Sequence, residues 1–123
     1  MAQRLIRIGR VSSVNPDTGM VKVTYPDLDD TVTDELPMLA IGDEYKMPKV
    51  RDEVLVLHLS NGQAAGIVIG KYWNKSNKPP TNAGYRKELG ENTGDAYLSY
   101  HNGTLEIKAN RIILNGKVIE PDQ

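Results

Sequence analysis

Residues 96–118 form short alternating strips that are too small to make a core of their own. From 96 to 100, and again from 104 to 109, every second residue is apolar, which is the pattern of a strand with one buried face. Asn-Gly pairs at 102–103 and 115–116 interrupt the alternation, and Asn-Gly is a strong signal for a tight hairpin turn. A segment of about 30 residues normally needs outside support to fold. The apolar side of these strips must therefore pack against something else.

Two explanations are open for what covers that side. The strips could fold back onto the preceding part of the chain, or copies from several chains could meet around a common axis. Residues 75–94 are polar and include Pro79-Pro80, so we interpret them as an extended connector that moves the strips away. The connector favours the interchain explanation. In this C-terminal needle, residues 95–123, the side chains predicted to meet at the centre are Leu98, Leu105, Ile107, Ile112, Leu114 and Val118.

The first 74 residues show strand patterns without helical periodicity. Two strands flank a turn at 15–19, where Pro16 presets φ and Gly19 accepts a positive φ. Three further strands are predicted, the third ending at Pro37 and the fourth being an apolar run that we expect to be central in the sheet. Five short strands in sequence predict an all-β fold, with a closed or half-closed barrel of the OB type over residues 1–74.

Composition excludes several classes of site and partner. The chain has no cysteine, which removes disulfides and thiolate metal sites. No apolar run approaches the roughly 18 residues of a membrane-spanning helix. The basic N-terminal residues lack the apolar segment of a signal peptide, so we expect no export by the general secretory route. Lys and Arg number 15 against 16 Asp and Glu, and this balance disfavours a nucleic-acid-binding domain.

Residues 6–80 contain three linked motifs in a characteristic order. They are the hairpin IGRVSSVNPDTGMVKV, the segment PKVRDEVLVL, and the strand GIVIGKYW followed by a polar stretch with Pro-Pro. In this order the motifs resemble the OB-like domain of the phage baseplate assembly protein V family. Members of this family are the central spikes of contractile tails, and tailocins and type VI secretion systems carry related spikes.

The resemblance implies an architecture for the whole chain. It implies a homotrimer in which each chain contributes an N-terminal five-stranded OB-like barrel, residues 1–74. The connector, residues 75–94, would lead into a short intertwined triple-stranded β-helix, residues 95–123. The apolar sides of residues 96–118 would then pack on their equivalents from two other chains.

The resemblance also implies a mechanical function without enzymatic activity. The protein would be the central spike and baseplate hub of a contractile tail or of a phage-derived injection particle. It would pierce the target cell envelope, which it contacts only transiently, and link the tail tube and baseplate to the tip. Expected partners are the tail tube or hub protein and baseplate proteins. We expect assembly in the bacterial cytoplasm and residence in the baseplate of the virion or particle.

The chain departs from the family pattern at two points. Many spikes of this type end in a His-x-His motif that holds iron on the threefold axis, and no His-x-His occurs here. Some relatives carry a lysozyme domain between barrel and needle, for which 123 residues leave no room. We therefore expect a blunt tip-facing end, formed by Ile119, Glu120 and Pro121, that is capped by a separate PAAR-like tip protein.

Individual polar residues fit structural roles better than chemical ones. His58 lies on an apolar strand, where a single histidine is more often structural than catalytic. His101 lies beside a turn, and although three copies in a trimer could bind an ion, a solvated position is the better interpretation. The acidic residues between 27 and 35 lack the Gly-centred spacing of a calcium loop. No catalytic residue, metal ligand or cofactor is predicted.

Two alternative functions remain open on the sequence. An OB-fold that binds nucleic acid could use Tyr25, Tyr45, Tyr72 and Trp73 to stack bases, and the net charge of −1 disfavours it. A small hydrolase is disfavoured because no residue set for nucleophilic or acid–base chemistry is found. Neither alternative requires a trimer.

Overall fold

The structure is a computed structural model that describes residues 5–59 and 65–121. Within these ranges the chain is all-β, with antiparallel strands and two short 3₁₀ turns at Pro26–Leu28 and Ile41–Asp43. The chain divides into two compact units, Met1–Asn74 and Lys75–Gln123. No helix in the described ranges is long and apolar enough to cross a membrane.

The first unit contains one six-stranded sheet. Its strands run in the order β3-β2-β1-β5-β6, and β4 pairs with β2 beside β3. The predicted third strand is thus two separate two-residue strands. The bounds are β1 Ile6–Asn15, β2 Met20–Tyr25, β3 Thr31–Val32, β4 Leu36–Pro37, β5 Glu53–His58 and β6 Gly66–Gly70.

The two ends of this sheet approach each other at a single point. Met38, directly after β4, forms a parallel bridge with Val68 of β6, and the Leu39 amide donates to the Val68 carbonyl at 2.9 Å. No closed barrel is found among residues 5–59 and 65–121. The two ends of the sheet are therefore linked at this point without closing into a barrel.

The turn between β1 and β2 confirms the predicted hairpin. Asn15 pairs with Met20, and the Gly19 amide donates to the Asn15 carbonyl at 3.0 Å. Gly19 adopts a φ of +73°, a conformation that glycine reaches without a steric penalty. The turn fixes the register that brings Val14 opposite Val21, and an irregularity between Val11 and Ser13 shifts the register by one residue, so that Val11 lies opposite Val23.

The core of the first unit consists almost entirely of β-branched side chains. Gly9, opposite Val54, lets β1 approach this core closely, because a Cβ there would lie 2.5 Å from Cγ1 of Val23. Each fully buried aliphatic side chain contributes roughly 1.5–3 kcal/mol. The buried apolar residues are Val11, Val21, Val23, Tyr25, Leu36, Val54, Val56 and Val68.

The second unit contains a three-stranded sheet and a hairpin. The sheet has the order β7-β8-β9, and β10 pairs with β11. Strand β7 lies inside residues 75–94, so this range is not only an extended connector: four of its residues pair with β8. The bounds are β7 Tyr85–Glu88, β8 Tyr97–His101, β9 Thr104–Lys108, β10 Ile112–Leu114 and β11 Lys117–Ile119.

Both predicted Asn-Gly turns are confirmed. Asn102 and Gly103 have φ values of +51° and +82°, and Asn115 and Gly116 have +50° and +83°. Two successive positive φ angles are the conformation of the type I′ turn, which matches the twist of paired strands. Because each loop is two residues long, the turns fix the strand registers on either side.

Candidate assembly surface

One face of the three-stranded sheet in the second unit is apolar. Residues that lie directly opposite each other in an antiparallel pair point to the same face. Leu98 pairs with Ile107, and Tyr100 pairs with both Leu105 and Tyr85. These five side chains define the apolar face, which also carries one charged residue, Lys87, opposite Leu98 at the β7 edge. The predicted needle residues of β8 and β9 all belong to this face.

The apolar face is left uncovered within the second unit. Leu105 is 63% exposed and Ile107 is 47% exposed, and Tyr85 and Tyr100 are more than half exposed. Scattered surface aliphatics are ordinary, whereas a contiguous apolar face marks an interaction surface. The predicted alternation thus produces a sheet that has a side for packing and no packing partner within the described part of its unit.

The opposite face of the same sheet is charged, and its polar groups are paired. Arg86 forms an ion pair with Glu88, and its guanidinium lies 3.8 Å from the ring centroid of Tyr97. The Tyr97 hydroxyl donates to Glu106 at 3.1 Å, and the Lys108 amine lies 5.7 Å from the Tyr97 ring. This charged face is suited to water, whereas the opposite face is mainly apolar.

Electrostatics within the charged face favour the protonated forms of Tyr97 and Arg86. Burial raises the pKa of Tyr97, and the hydrogen bond to Glu106 raises it further. The hydrogen bond to Glu88 raises the pKa of Arg86. Tyr97 therefore remains a hydrogen-bond donor, and Arg86 a cation, across the whole range in which proteins are ordinarily stable.

The terminal hairpin differs from the sheet because both of its faces carry aliphatic side chains. Ile112 pairs with Ile119 on one face, and Leu114 lies on the same face opposite Lys117. Ile113 pairs with Val118 on the other face. Of the predicted needle residues, the structure thus places Ile112 and Leu114 together and Val118 on the opposite side. Ile113, which the prediction omitted, is 57% exposed.

The predicted tip-facing residues continue directly from the hairpin. Ile119 ends β11 and packs beside Ile112 as its cross-strand partner. Glu120 follows, and its carboxylate lies 3.8 Å from the guanidinium of Arg111, which precedes β10 at the same open end of the hairpin. Pro121 is the last residue that the structure describes.

His58 has a structural position in the first unit. It is only 4% exposed, its Nε2 lies 2.6 Å from the Tyr25 hydroxyl, and its Nδ1 lies 3.2 Å from the Ala65 carbonyl oxygen. A proton on Nδ1 would donate to Ala65, which leaves Nε2 to accept from Tyr25. Burial raises the pKa of Tyr25 to about 12, so the phenol keeps the proton that it donates.

His101 lies away from the apolar face. It ends β8 and pairs with Thr104 beside the Asn102-Gly103 turn, one residue after Tyr100. Because successive residues of a strand point to opposite faces, His101 lies on the charged face and is exposed. A threefold axis that runs along the apolar face would not bring three copies of His101 together.

The other candidate groups do not converge on a chemical site. In the described residues, no group of three or more His, Cys, Asp or Glu side chains could hold a metal ion. Tyr25 is fully buried and cannot stack on a base. The hydroxyl of Tyr72 donates to Glu53 at 3.0 Å, and that of Tyr45 donates to the Pro16 carbonyl at 3.1 Å. These tyrosines have separate structural contacts and do not form one platform.

Comparison with known proteins adds no assignment to this geometry. A scan against protein-family models finds no family that matches the chain, and a search of curated proteins finds no match.

Proposed function

We propose that this protein is the central spike of a contractile tail or of a phage-derived injection particle, and that three copies assemble through their second units. The observation that carries this proposal is the division of the β7-β8-β9 sheet into an exposed apolar face and a paired, charged face. The motifs in residues 6–80 that resemble the baseplate assembly protein V family support the same role.

A threefold assembly answers the packing problem of the second unit. Three apolar faces turned towards one axis would remove Leu98, Leu105 and Ile107 from water in every chain. Each such aliphatic side chain contributes roughly 1.5–3 kcal/mol when fully buried. The charged face would remain on the outside, where Arg86 and Glu106 keep their contacts with solvent. Lys87, which shares the apolar face, lies on the edge strand β7, where its long side chain can extend to solvent.

The free strand edges of the second unit give a reason for interlacing. In the β7-β8-β9 sheet, β7 and β9 each pair with β8 alone. Unpaired edges are a site of unwanted association and of mechanical weakness, and closed arrangements remove them. In a triple-stranded β-helix the edges of one chain would pair with those of its neighbours, and the resulting stiff rod could transmit the force of sheath contraction.

In the first unit, we propose an OB-like barrel that connects the spike to the baseplate. The bridge between Met38 and Val68, which links β4 to β6, supports this architecture because it joins the two ends of the sheet. The barrel would contact the tail tube or hub protein and baseplate proteins. The end at Ile119 to Pro121 would contact a separate PAAR-like tip protein. The role is mechanical and requires no catalytic residue.

Light scattering during size-exclusion chromatography tests the assembly. The expected mass is three times the 13.6 kDa of the chain, and a stable monomer at micromolar concentration would overturn the proposal. The particle itself provides the functional test. Deleting the gene should abolish intact contractile tails in electron micrographs. The wild-type gene should restore them, and a gene encoding Ile107→Asp should not.

A further inference from the structure

The outer face of the first unit carries an apolar strip across three neighbouring strands. In the pairing of β1 with β5, Ile6 lies opposite Leu57 and Ile8 opposite Leu55. In the pairing of β5 with β6, Leu57 also lies opposite Ile67. These five residues share one face. In β5 and β6 they alternate with the buried core residues Val54, Val56 and Val68. We call them the outer strip.

The outer strip is unusual because it is exposed without being polar. Ile6 is 61% exposed and Ile8 is 52% exposed, and the other three members are partly exposed. The outer face of an antiparallel sheet normally carries polar residues in alternation with the core. The hairpin partner strand follows this rule, since Lys22 and Thr24 alternate with buried valines in β2. Packing within the described residues of the first unit, 5–59 and 65–74, therefore does not explain the outer strip.

Charges at one end of the outer strip are complementary to those of another copy. Arg10 of β1 lies directly opposite Glu53 of β5, next to the pair of Ile8 and Leu55. No charged residue pairs with any of the five members of the strip. A second copy presents the same apolar surface and the same two opposite charges. It can therefore match both the apolar and the charged parts, which a strongly acidic or basic partner cannot.

We propose that the outer strips of the three chains pack against one another, so that the barrels form a second interface in the same trimer. This inference rests on the proposed threefold assembly. The first unit ends at Asn74 and β7 begins at Tyr85, so each barrel is tied to the assembled second units by a segment that spans at most about 3.5 Å per residue. Short tethers give effective concentrations in the millimolar range, at which a modest apolar contact is occupied.

The absence of cysteine from the chain makes a direct test possible. Ile8→Cys and Ile6→Cys in the full-length protein each introduce the only thiol, at positions exposed enough to tolerate the change. Asp17→Cys, in the exposed turn between β1 and β2, is the matched control. In the trimer, we expect maleimide to modify the outer-strip thiols at least tenfold more slowly than the control thiol.

The same cysteine substitutions in an Ile107→Asp protein identify what covers the outer strip. Ile107→Asp should prevent assembly of the second units, and in that background both outer-strip thiols should react as fast as the control. Slow modification that persists in a monomeric Ile107→Asp protein would show cover from within the chain and would overturn the inference. Fast modification in a confirmed trimer would also overturn it, because the strip would then be free for a different protein. If the wild-type protein is itself a monomer, that result overturns the proposed function and not only this inference.

Discussion

Ile107 and Glu106 are adjacent in β9 and face opposite environments. Ile107 pairs with Leu98 on the apolar face, and Glu106 accepts a hydrogen bond from Tyr97 on the charged face. The proposed trimer turns the first of these towards the axis and leaves the second in water. Substitutions at these two positions therefore separate assembly from local stability.

Ile107→Asp should dissociate the trimer. It would place three carboxylates near one axis, where an unpaired buried charge costs several kcal/mol. Glu106→Ala is the control, since an exposed substitution usually changes stability by no more than about 0.5 kcal/mol. Mass by light scattering and the midpoint of thermal unfolding measure both effects. Equal melting of the two variants would show that the apolar face does not lie at the interface.

The terminal hairpin yields a second prediction about which face lies inside. The face with Leu114 also carries Ile112, Ile119 and Lys117, whereas the other carries Ile113 and Val118. Because the first face offers three aliphatic side chains for burial and the other offers two, we expect Leu114→Asp to weaken the trimer at least tenfold more than Ile113→Asp, as measured by dilution. The reverse order would place Ile113 and Val118 on the axis.

Local sequence signals were sufficient to predict the turns and the alternation. A two-residue type I′ turn requires positive φ at both of its positions, and Asn-Gly, which occurs at 102–103 and 115–116, is a dipeptide that readily adopts these angles. The alternation of Leu105 and Ile107 with polar residues has a period of two, which identifies one face of a strand without knowledge of its neighbours. Such features depend only on nearby residues, which is why the structure confirms them.

Features that depend on which strands pair, and in which register, could not be predicted from the alternation of residues alone. Strand β7 has no aliphatic residue, and its place in the sheet comes from its pairing with β8. Alternation extended through the turn at 115–116 predicts that Val118 joins Ile112 and Leu114. A two-residue loop instead pairs residue 114 with residue 117, and so Val118 comes opposite Ile113. The signal that could have revealed this was the loop length itself.

Removing the Tyr25 hydroxyl should destabilise the first unit. Tyr25→Phe would leave Nε2 of the buried His58 without its partner, and an unsatisfied buried polar atom costs about 1–3 kcal/mol. Tyr45→Phe is the matched control, because the Tyr45 hydroxyl bonds to the Pro16 carbonyl at an exposed position. Urea unfolding should show a large decrease in the free energy of unfolding for the first variant only. If both variants lower the free energy of unfolding by a similar, small amount, water has replaced the lost Tyr25 hydroxyl as the hydrogen-bond donor to His58.

The raised pKa of Tyr25 leads us to expect a loss of stability of the first unit at high pH. Burial raises the pKa of Tyr25 to about 12, above the value of about 10 in unfolded chains. The folded state therefore favours the protonated phenol, and this stabilisation is complete below pH 10 and is lost as the pH rises towards 12. Linkage gives a decrease of about 2 kcal/mol over that interval. The difference between wild type and Tyr25→Phe, measured by urea unfolding at each pH, should shrink accordingly. A difference that stays constant would contradict the raised pKa.

The first unit should fold without the second. All eight buried apolar residues of its core lie between Val11 and Val68, and the boundary between the two units falls after Asn74. A protein of residues 1–74 should therefore keep its β-sheet circular dichroism and unfold cooperatively. Without the tether it loses the high effective concentration of its neighbours. We expect the outer strip alone to support only weak association, so that the truncated protein is a monomer at low micromolar concentration. A truncated protein that remains trimeric at nanomolar concentration would show that the barrels, and not the needle, hold the assembly together.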